Sequence, residues 1–363
     1  MIRVLHVVTY MGRGGLETMI MNYYRKIDRS QVQFDFLTHR DFKADYDEEI
    51  TRLGGRIYHL PQLDPFSKKY HQLLTSFFQS HPEYRIIHVH QDCMSSVILK
   101  DAYQCGVPVR IAHSHSSSQD KNIKYLIKIF YKQFIPKYAT ELFACSDAAG
   151  QWMFGSLEYE VLNNAIDAEK YIFNPVVRKE MRHNLEINED EIVLGHVGRF
   201  SFPKNHDFLV DIFSCVSRKI KAKLLLVGDG DLRSSIERKV KALGISDKVI
   251  FTGLRTDVND LLQAMDVFVF PSHYEGLPVT LVEAQASGLP CVISNMVPKD
   301  CKITDLVEDI SLSKKADVWA ERICSYSDRI ANRKNTYTEI KNSGFDIKEN
   351  AEKLTKTYIE LWK

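Results

Sequence analysis

The feature that most constrains this chain is an alternation of short β-branched runs with helix-length amphipathic segments, met once and then again. Strands separated by helices pair in parallel, and the helices must cover both faces of the sheet they form. In the first half the runs lie at Val4 to Val8, Val32 to Leu37, Arg56 to Leu60, Ile86 to Val89, Val109 to Ala112 and Leu142 to Ala144. Helical stretches such as Leu16 to Arg25, Lys68 to Gln79 and Ser95 to Cys105 sit between them. After Asn163 and Asn164 the pattern restarts with Ile192 to Val197, Leu224 to Val227, Val249 to Phe251, Val267 to Phe270 and Cys291 to Ser294. The spacing predicts an α/β protein of two Rossmann-like domains, residues 1–167 and 168–345, followed by a helix over residues 346–363.

That helix carries its own start signal, Asp346 with Glu349 three residues on, the pattern of a capping box. Ile347, Ala351, Leu354, Tyr358 and Leu361 recur at intervals of three and four, which makes one apolar face. Such a face must be covered, and the boundary between the domains is an economical place for it.

Charge excludes several partners. Lys and Arg number 48 against 47 Asp and Glu, for a net charge of +1, and neither half carries an excess. No nucleic acid is expected. No run approaches the roughly 18 apolar residues of a membrane helix, and the short apolar start after Arg3 reads as a buried strand, not a signal peptide. Seven cysteines without a C-x-x-C pair fit reduced thiols better than disulfides or a zinc site. The expected location is cytoplasmic.

The stretch Phe270 to Val292 reads FPSHYEGLPVTLVEAQASGLPCV. It predicts a buried strand ending at Pro271, a Gly-Leu-Pro turn after Glu275, and a helix beginning around Pro278 that carries Glu283. The free amides of Gly276 and Leu277, with the helix dipole, suit an anion or sugar oxygens. Each carboxylate of Glu275 and Glu283 can accept two hydroxyl hydrogen bonds, of the stronger charge-assisted kind. The spacing alone carries nothing, since Glu352 and Glu360 repeat it on a predicted solvated face. Arg199 follows a run ending at Gly198, and Lys204 comes just beyond a proline. A departing nucleoside diphosphate develops negative charge that two such preplaced cations would stabilise.

Together these residues resemble the GT-B nucleotide-sugar glycosyltransferases of glycosyltransferase family 4, whose hallmark is E-G-x-P followed by E-A-x-A-x-G-x-P. The chain has E-G-L-P and E-A-Q-A-S-G-L-P in register. The likeness extends to H-V-G-R-F at His196 to Phe200 with Lys204 and Asn205 after it, to the early G-R-G-G-L-E, and to I-A-H-S-H. The tail after Val292, with Pro298-Lys299 and Lys302 to Asp305, is similar to enzymes that build capsular or exopolysaccharide.

The resemblance implies two domains facing across a cleft, with the terminal helix returning to the N-terminal domain. It implies retaining transfer from a nucleotide diphosphate sugar, UDP by default, to a glycan or lipid-linked acceptor, the leaving phosphate helping to deprotonate the incoming hydroxyl. Glu283 is then the ribose ligand, and Glu275, Gly276 and Leu277 hold the donor sugar. Gly198, Gly228, Thr252, Gly253 and Leu254 line the nucleotide, the base being held largely by backbone. The expected catalytic set is His113, Arg199, Lys204 and Glu275. Two rival readings stay open: a nucleotide-sugar epimerase of the same fold, and a non-catalytic nucleotide-sugar-binding protein.

In the first half a glycine turn, Gly12, Gly14 and Gly15 in YMGRGGLE, reads equally as a plain tight turn or a contact to diphosphate or acceptor; the resemblance implies contact, with Gly14 and Gly15 on the donor side and Gly12 on the acceptor side. His88 and His90, then His113 and His115, lie near the ends of two predicted strands, where α/β folds place ligands. In the resembling family a histidine at the position of His113 lies by the donor sugar; His90 and His115 are expected on the acceptor side. No metal-ligand spacing joins them. The strings Asp45-Tyr46-Asp47 and Asp229-Gly230-Asp231 read as surface acids and a turn, so no metal and no cofactor is expected.

Lys121, Lys124, Lys128 and Lys132 share one arc of a helical projection, with Ile123, Leu126, Ile127, Phe130 and Phe134 opposite. Two readings stand. The lysines are a solvated face over a core face, or the segment is a membrane-surface element meeting anionic lipid beside Tyr125 and Tyr131.

Overall fold

The computed structural model describes residues 1–116, 125–326 and 333–363, and their contacts divide into two units. One comprises Met1–Ala165 with Asp346–Lys363, and the other Ile166–Phe345.

The first unit is built on seven strands: β1 (Ile2–Val7), β2 (Val32–Thr38), β3 (Ile57–His59), β4 (Ile86–Val89), β5 (Val109–Ser114), β6 (Glu141–Ala144) and β7 (Glu160–Val161). They pair in parallel in the order β3-β2-β1-β4-β5-β6-β7. Side chains alternate across the sheet, so Val4, Phe34, Phe36 and Ile86 enter one core layer while Leu5, Leu37, Ile87 and Val89 enter the other. The order reverses between β1 and β4, the switch point at which such sheets bind ligands beyond the strands' carboxyl ends.

The terminal helix, Ile347–Trp362, belongs to this unit. The Asp346 carboxylate accepts from the backbone N–H groups of Lys348 and Glu349 at 3.0 and 3.4 Å, satisfying donors that have no partner inside the helix. Ile347, Ala351, Leu354 and Tyr358 are buried with Val4, Phe34 and Ile86. The apolar face thus fills a core layer of the first unit. Each large aliphatic side chain removed from water there stabilises the docking by about 1.5–3 kcal/mol.

The second unit has six parallel strands: β8 (Ile192–Val197), β9 (Ala222–Val227), β10 (Val249–Gly253), β11 (Val267–Phe270), β12 (Cys291–Ser294) and β13 (Val307–Ile310). Their order is β10-β9-β8-β11-β12-β13, with the switch point between β8 and β11. The ends of this unit are tied by one hydrogen bond, from the Ile166 N–H to the Phe345 carbonyl at 2.9 Å.

The helix Tyr125–Lys132 reverses the first reading of the lysine stripe. Leu126, Ile127 and Phe130 are exposed, and no residue of the helix is buried. Lys132 instead turns toward the protein, donating to the Trp152 carbonyl, with its ammonium 4.6 Å from the centroid of the indole ring. The aliphatic stem of a lysine packs well on an aromatic face, and a carbonyl binds its head. Lys121, Ile123 and Lys124 lie outside the described residues. Among the described residues no helix is long and apolar enough to cross a membrane.

Candidate active site

In the second unit two loops that leave adjacent strands are fastened to each other. The turn Phe202–Lys204 follows β8, and Asn205 takes a left-handed conformation (φ 54°) that asparagine tolerates well. Asn205 Nδ2 donates to the Pro271 carbonyl at 3.0 Å, and the His273 N–H donates to the Pro203 carbonyl at 2.8 Å. These bonds bring Lys204 to Glu275. Lys204 Nζ donates to both carboxylate oxygens, at 2.8 and 2.9 Å, with the Phe270 ring centroid at 4.8 Å. Both side chains are largely buried, 19% and 10% exposed, so water screens the pair little.

Glycines let three strand ends close up beside this pair. Gly228 has φ 133°, and a Cβ there would lie 2.2 Å from the Gly198 carbonyl oxygen. The Gly228 N–H donates to the Gly253 carbonyl at 2.9 Å. Gly198, Gly228 and Gly253 therefore form a floor without side chains at the carboxyl ends of β8, β9 and β10. Thr252 is held by its hydroxyl to the Gly253 carbonyl at 3.2 Å, and Leu254 is exposed. Arg199 projects from the same edge, 70% exposed and 3.5 Å from the still more exposed Asp231. It is a solvated cation with a weak partner, unlike Lys204.

The helix Val279–Ala286 starts directly after Pro278, which is its N-cap. Leu277 is nearly buried, and Glu283 is buried on the second turn. Tyr171 donates its hydroxyl to Glu283 Oε1 at 2.7 Å. Burial raises the Glu283 carboxyl above the ordinary range, and the Tyr171 bond opposes part of that shift. Tyr171 escaped the sequence reading because nothing in its own surroundings marks it.

In the first unit the histidines form a continuous array. His6 faces His88 across β1 and β4, and His90, His113 and His115 continue on the same sheet face. His6 Nδ1 lies 3.0 Å from His90 Nε2, and His90 Nδ1 lies 2.8 Å from His115 Nε2. His88 Nε2 lies 3.0 Å from His113 Nδ1, and His88 Nδ1 lies 2.7 Å from the Tyr358 hydroxyl. Burial pushes all five imidazoles well below their ordinary value, His6 and His115 to about 3, so they are uncharged. Two triads, His6 with His88 and His90, and His90 with His113 and His115, bring potential ligand atoms within 4.8 Å of one another. Linear spacing hid this grouping, because strand register and not sequence distance creates it. His6 and Tyr358 were not among the expected site residues.

The glycine turn is covered by its own chain. Glu17, in the first turn of the helix Gly15–Lys26, accepts from the backbone N–H groups of Gly14 and Glu17, and burial raises its carboxyl. A Cβ on Gly14 would lie 2.2 Å from Glu17 Oε2, and one on Gly12 would lie 2.5 Å from the Tyr10 ring, whereas Gly15 faces open space. A carboxylate thus lies at this helix terminus.

Residues 177–329 match the model of the family described as glycosyl transferases group 1. A Bacillus subtilis (strain 168) protein assigned as glycosyltransferase EpsF is 38% identical over 370 residues, covering 98% of this chain and 96% of that protein. The Staphylococcus aureus capsular polysaccharide biosynthesis glycosyltransferase CapH is 23% identical, covering 99% of each. Among solved structures, Anabaena Alr3699/HepE in complex with UDP and glucose superposes with a TM-score of 0.81 at 17% identity, over 99% of this chain and 100% of that one.

Proposed function

The chain belongs to the glycosyl transferases of group 1, and on that premise we propose the reaction, donor and acceptor that its site serves. It moves a sugar from a nucleotide diphosphate sugar, a UDP-sugar, to a hydroxyl of a glycan or lipid-linked acceptor in surface polysaccharide synthesis. The observation that carries this reading is the Lys204–Glu275 pair at the carboxyl ends of β8 and β11.

An ammonium has three donors, and Glu275 takes two of those on Lys204. The third is left for a phosphate oxygen of the donor. As the glycosidic bond to the diphosphate breaks, charge grows on that oxygen, and a cation fixed beforehand stabilises the transition state more than the ground state. Arg199 adds a second cation from the rim. The side-chain-free floor of Gly198, Gly228 and Gly253 admits the nucleotide, with Thr252 and Leu254 beside the base. Glu283, one oxygen held by Tyr171, offers the other to the ribose hydroxyls. Glu275 and the amides of Gly276 and Leu277 orient the sugar.

Transfer retains configuration in this reading. No enzyme carboxylate acts as nucleophile, in contrast to the paired carboxylates of retaining glycosidases, and the leaving phosphate takes the proton of the incoming hydroxyl. Lys204 and Arg199 supply the positive charge, so the reaction needs no divalent ion and no cofactor. His113 of the first unit serves beside the donor sugar and the reacting centre, and His115, His90 and Gly12 serve the acceptor side.

A peripheral contact with the cytoplasmic face of the membrane follows from the helix Tyr125–Lys132. Leu126, Phe130 and the nearby Phe66, whose ring lies 6.3 Å from that of Tyr131, are exposed beside Lys68 and Lys69. Apolar side chains next to cations suit an anionic bilayer, where a lipid-linked acceptor would be found. A thermal-shift screen against UDP-, GDP- and ADP-sugars tests the donor assignment, since a ligand that binds only the folded state raises its apparent stability. The UDP-sugars should give the largest shifts.

A further inference from the structure

The Tyr358 hydroxyl, His88 and His113 form a line, with contacts of 2.7 and 3.0 Å, and all three side chains are at most 1% exposed. Tyr358 has no other hydrogen-bond partner among the described residues. At the far end, His113 Nε2 is buried and has none.

Burial keeps both imidazoles uncharged and the phenol protonated. A neutral imidazole has one donor and one acceptor nitrogen, so the line can run in two directions. In one, Tyr358 donates to His88 Nδ1, His88 Nε2–H donates to His113 Nδ1, and His113 is left with an N–H at Nε2. In the other, His113 Nδ1–H donates to His88 Nε2 and His88 Nδ1–H donates to the phenol oxygen. That direction strands the phenol hydrogen as well as a bare His113 Nε2. The first leaves one buried group unpaired and the second leaves two. An unpaired buried donor is costly enough to decide the direction.

We infer that Tyr358, reaching the sheet from the terminal helix, acts through His88 to fix His113 as the Nε2–H tautomer, a hydrogen-bond donor to an oxygen of the bound sugar substrate and not a base. Tyr358 and His88 are positioning residues. His113 is the group that meets substrate, and the array opens toward solvent at His115, whose ring lies 4.0 Å from that of His113 and is only partly covered. No proton leaves the array during the reaction, which agrees with deprotonation of the acceptor by the leaving phosphate. The identity of the ligand rests on the glycosyltransferase reading. The tautomer does not.

The test is a long-range ¹H–¹⁵N correlation spectrum of the full chain labelled at histidine, at neutral pH, with His88→Gln and His113→Gln used for assignment. Both His88 and His113 should be protonated at Nε2 and bare at Nδ1. In Tyr358→Phe each direction leaves two unpaired groups, so the two tautomers should appear in comparable amounts, and transfer should fall to about half as the donor tautomer is halved. A wild-type His113 protonated at Nδ1, or a tautomer unchanged in Tyr358→Phe, would overturn the inference. Should Tyr358→Phe not fold, the wild-type spectrum decides alone. Loss of the glycosyltransferase reading would show in the transfer assay while leaving the spectrum as stated.

Discussion

Lys204 and Glu275 leave adjacent parallel strands and meet with the ammonium 2.8 and 2.9 Å from the two carboxylate oxygens. Neither can be read as a lone surface charge, because the loops that carry them are clipped together by Asn205 and His273. The pair ties the diphosphate side of the proposed donor site to its sugar side.

Replacing Lys204 by Ala removes the buried cation and leaves Glu275 without its partner. The account predicts a drop in kcat of about 100-fold or more, with the chain still folded by circular dichroism. Arg199→Ala should cost less, about tenfold, because an exposed cation acts through screened charge. Near-normal turnover in Lys204→Ala would remove it from the diphosphate.

Glu283→Gln separates binding from stability. Its carboxyl is held above the ordinary range by burial, so the folded chain binds that proton more tightly than the unfolded chain. The cost is absent at low pH, appears as pH rises through the unfolded value, and persists at neutral pH. Gln removes the cost but accepts ribose hydroxyls less well. Denaturation at pH 7.5 should show unchanged or higher stability, while the donor KM rises by about tenfold. A variant that loses stability and keeps its donor KM would contradict this assignment.

Acid should unfold the protein through its buried histidines. Burial lowers His6 to about 3, His196 to about 4 and His206 to about 2. Below an ordinary imidazole value of about 6.5 the unfolded chain takes up protons that the folded chain refuses. Stability is therefore complete above that pH and is lost as pH falls, by up to about 1.4 kcal/mol per unit for each group. Urea titrations at pH 7.5 and 5.5 should differ by more than about 2 kcal/mol. Equal values would mean that these rings are hydrated.

The exposed apolar side chains of the helix Tyr125–Lys132 predict lipid binding. Leu126→Ser with Phe130→Ser should abolish co-sedimentation with vesicles containing phosphatidylglycerol, and should leave transfer to a soluble acceptor unchanged. Undiminished co-sedimentation of the double variant would exclude this helix as the contact.

Much of the architecture was legible because the central strands are apolar runs in a repeating order, as full burial on both faces requires. β7 has only two residues, and β13 reads VEDI at the sheet edge, so neither shows the apolar run of a central strand. The candidate site was legible where its residues lie close in sequence, as in Glu275 and Gly276 of the turn after β11. It was not where chemistry depends on register or on distant chain. His6 meets His88 through strand pairing, and Tyr358 reaches His88 from 270 residues away. The lysine stripe misled because periodicity finds two faces but cannot say which one the protein covers, and Lys132 is drawn inward by Trp152.

The most direct measurement is product analysis with a UDP-sugar in the presence and absence of acceptor, followed by NMR of the new linkage, with and without EDTA. The account predicts a glycoside that keeps the donor's anomeric configuration, formed only with acceptor and undiminished by EDTA. Conversion of the donor alone into a second nucleotide sugar, or an inverted linkage, or activity lost in EDTA and restored by Mg²⁺ or Mn²⁺, would contradict it.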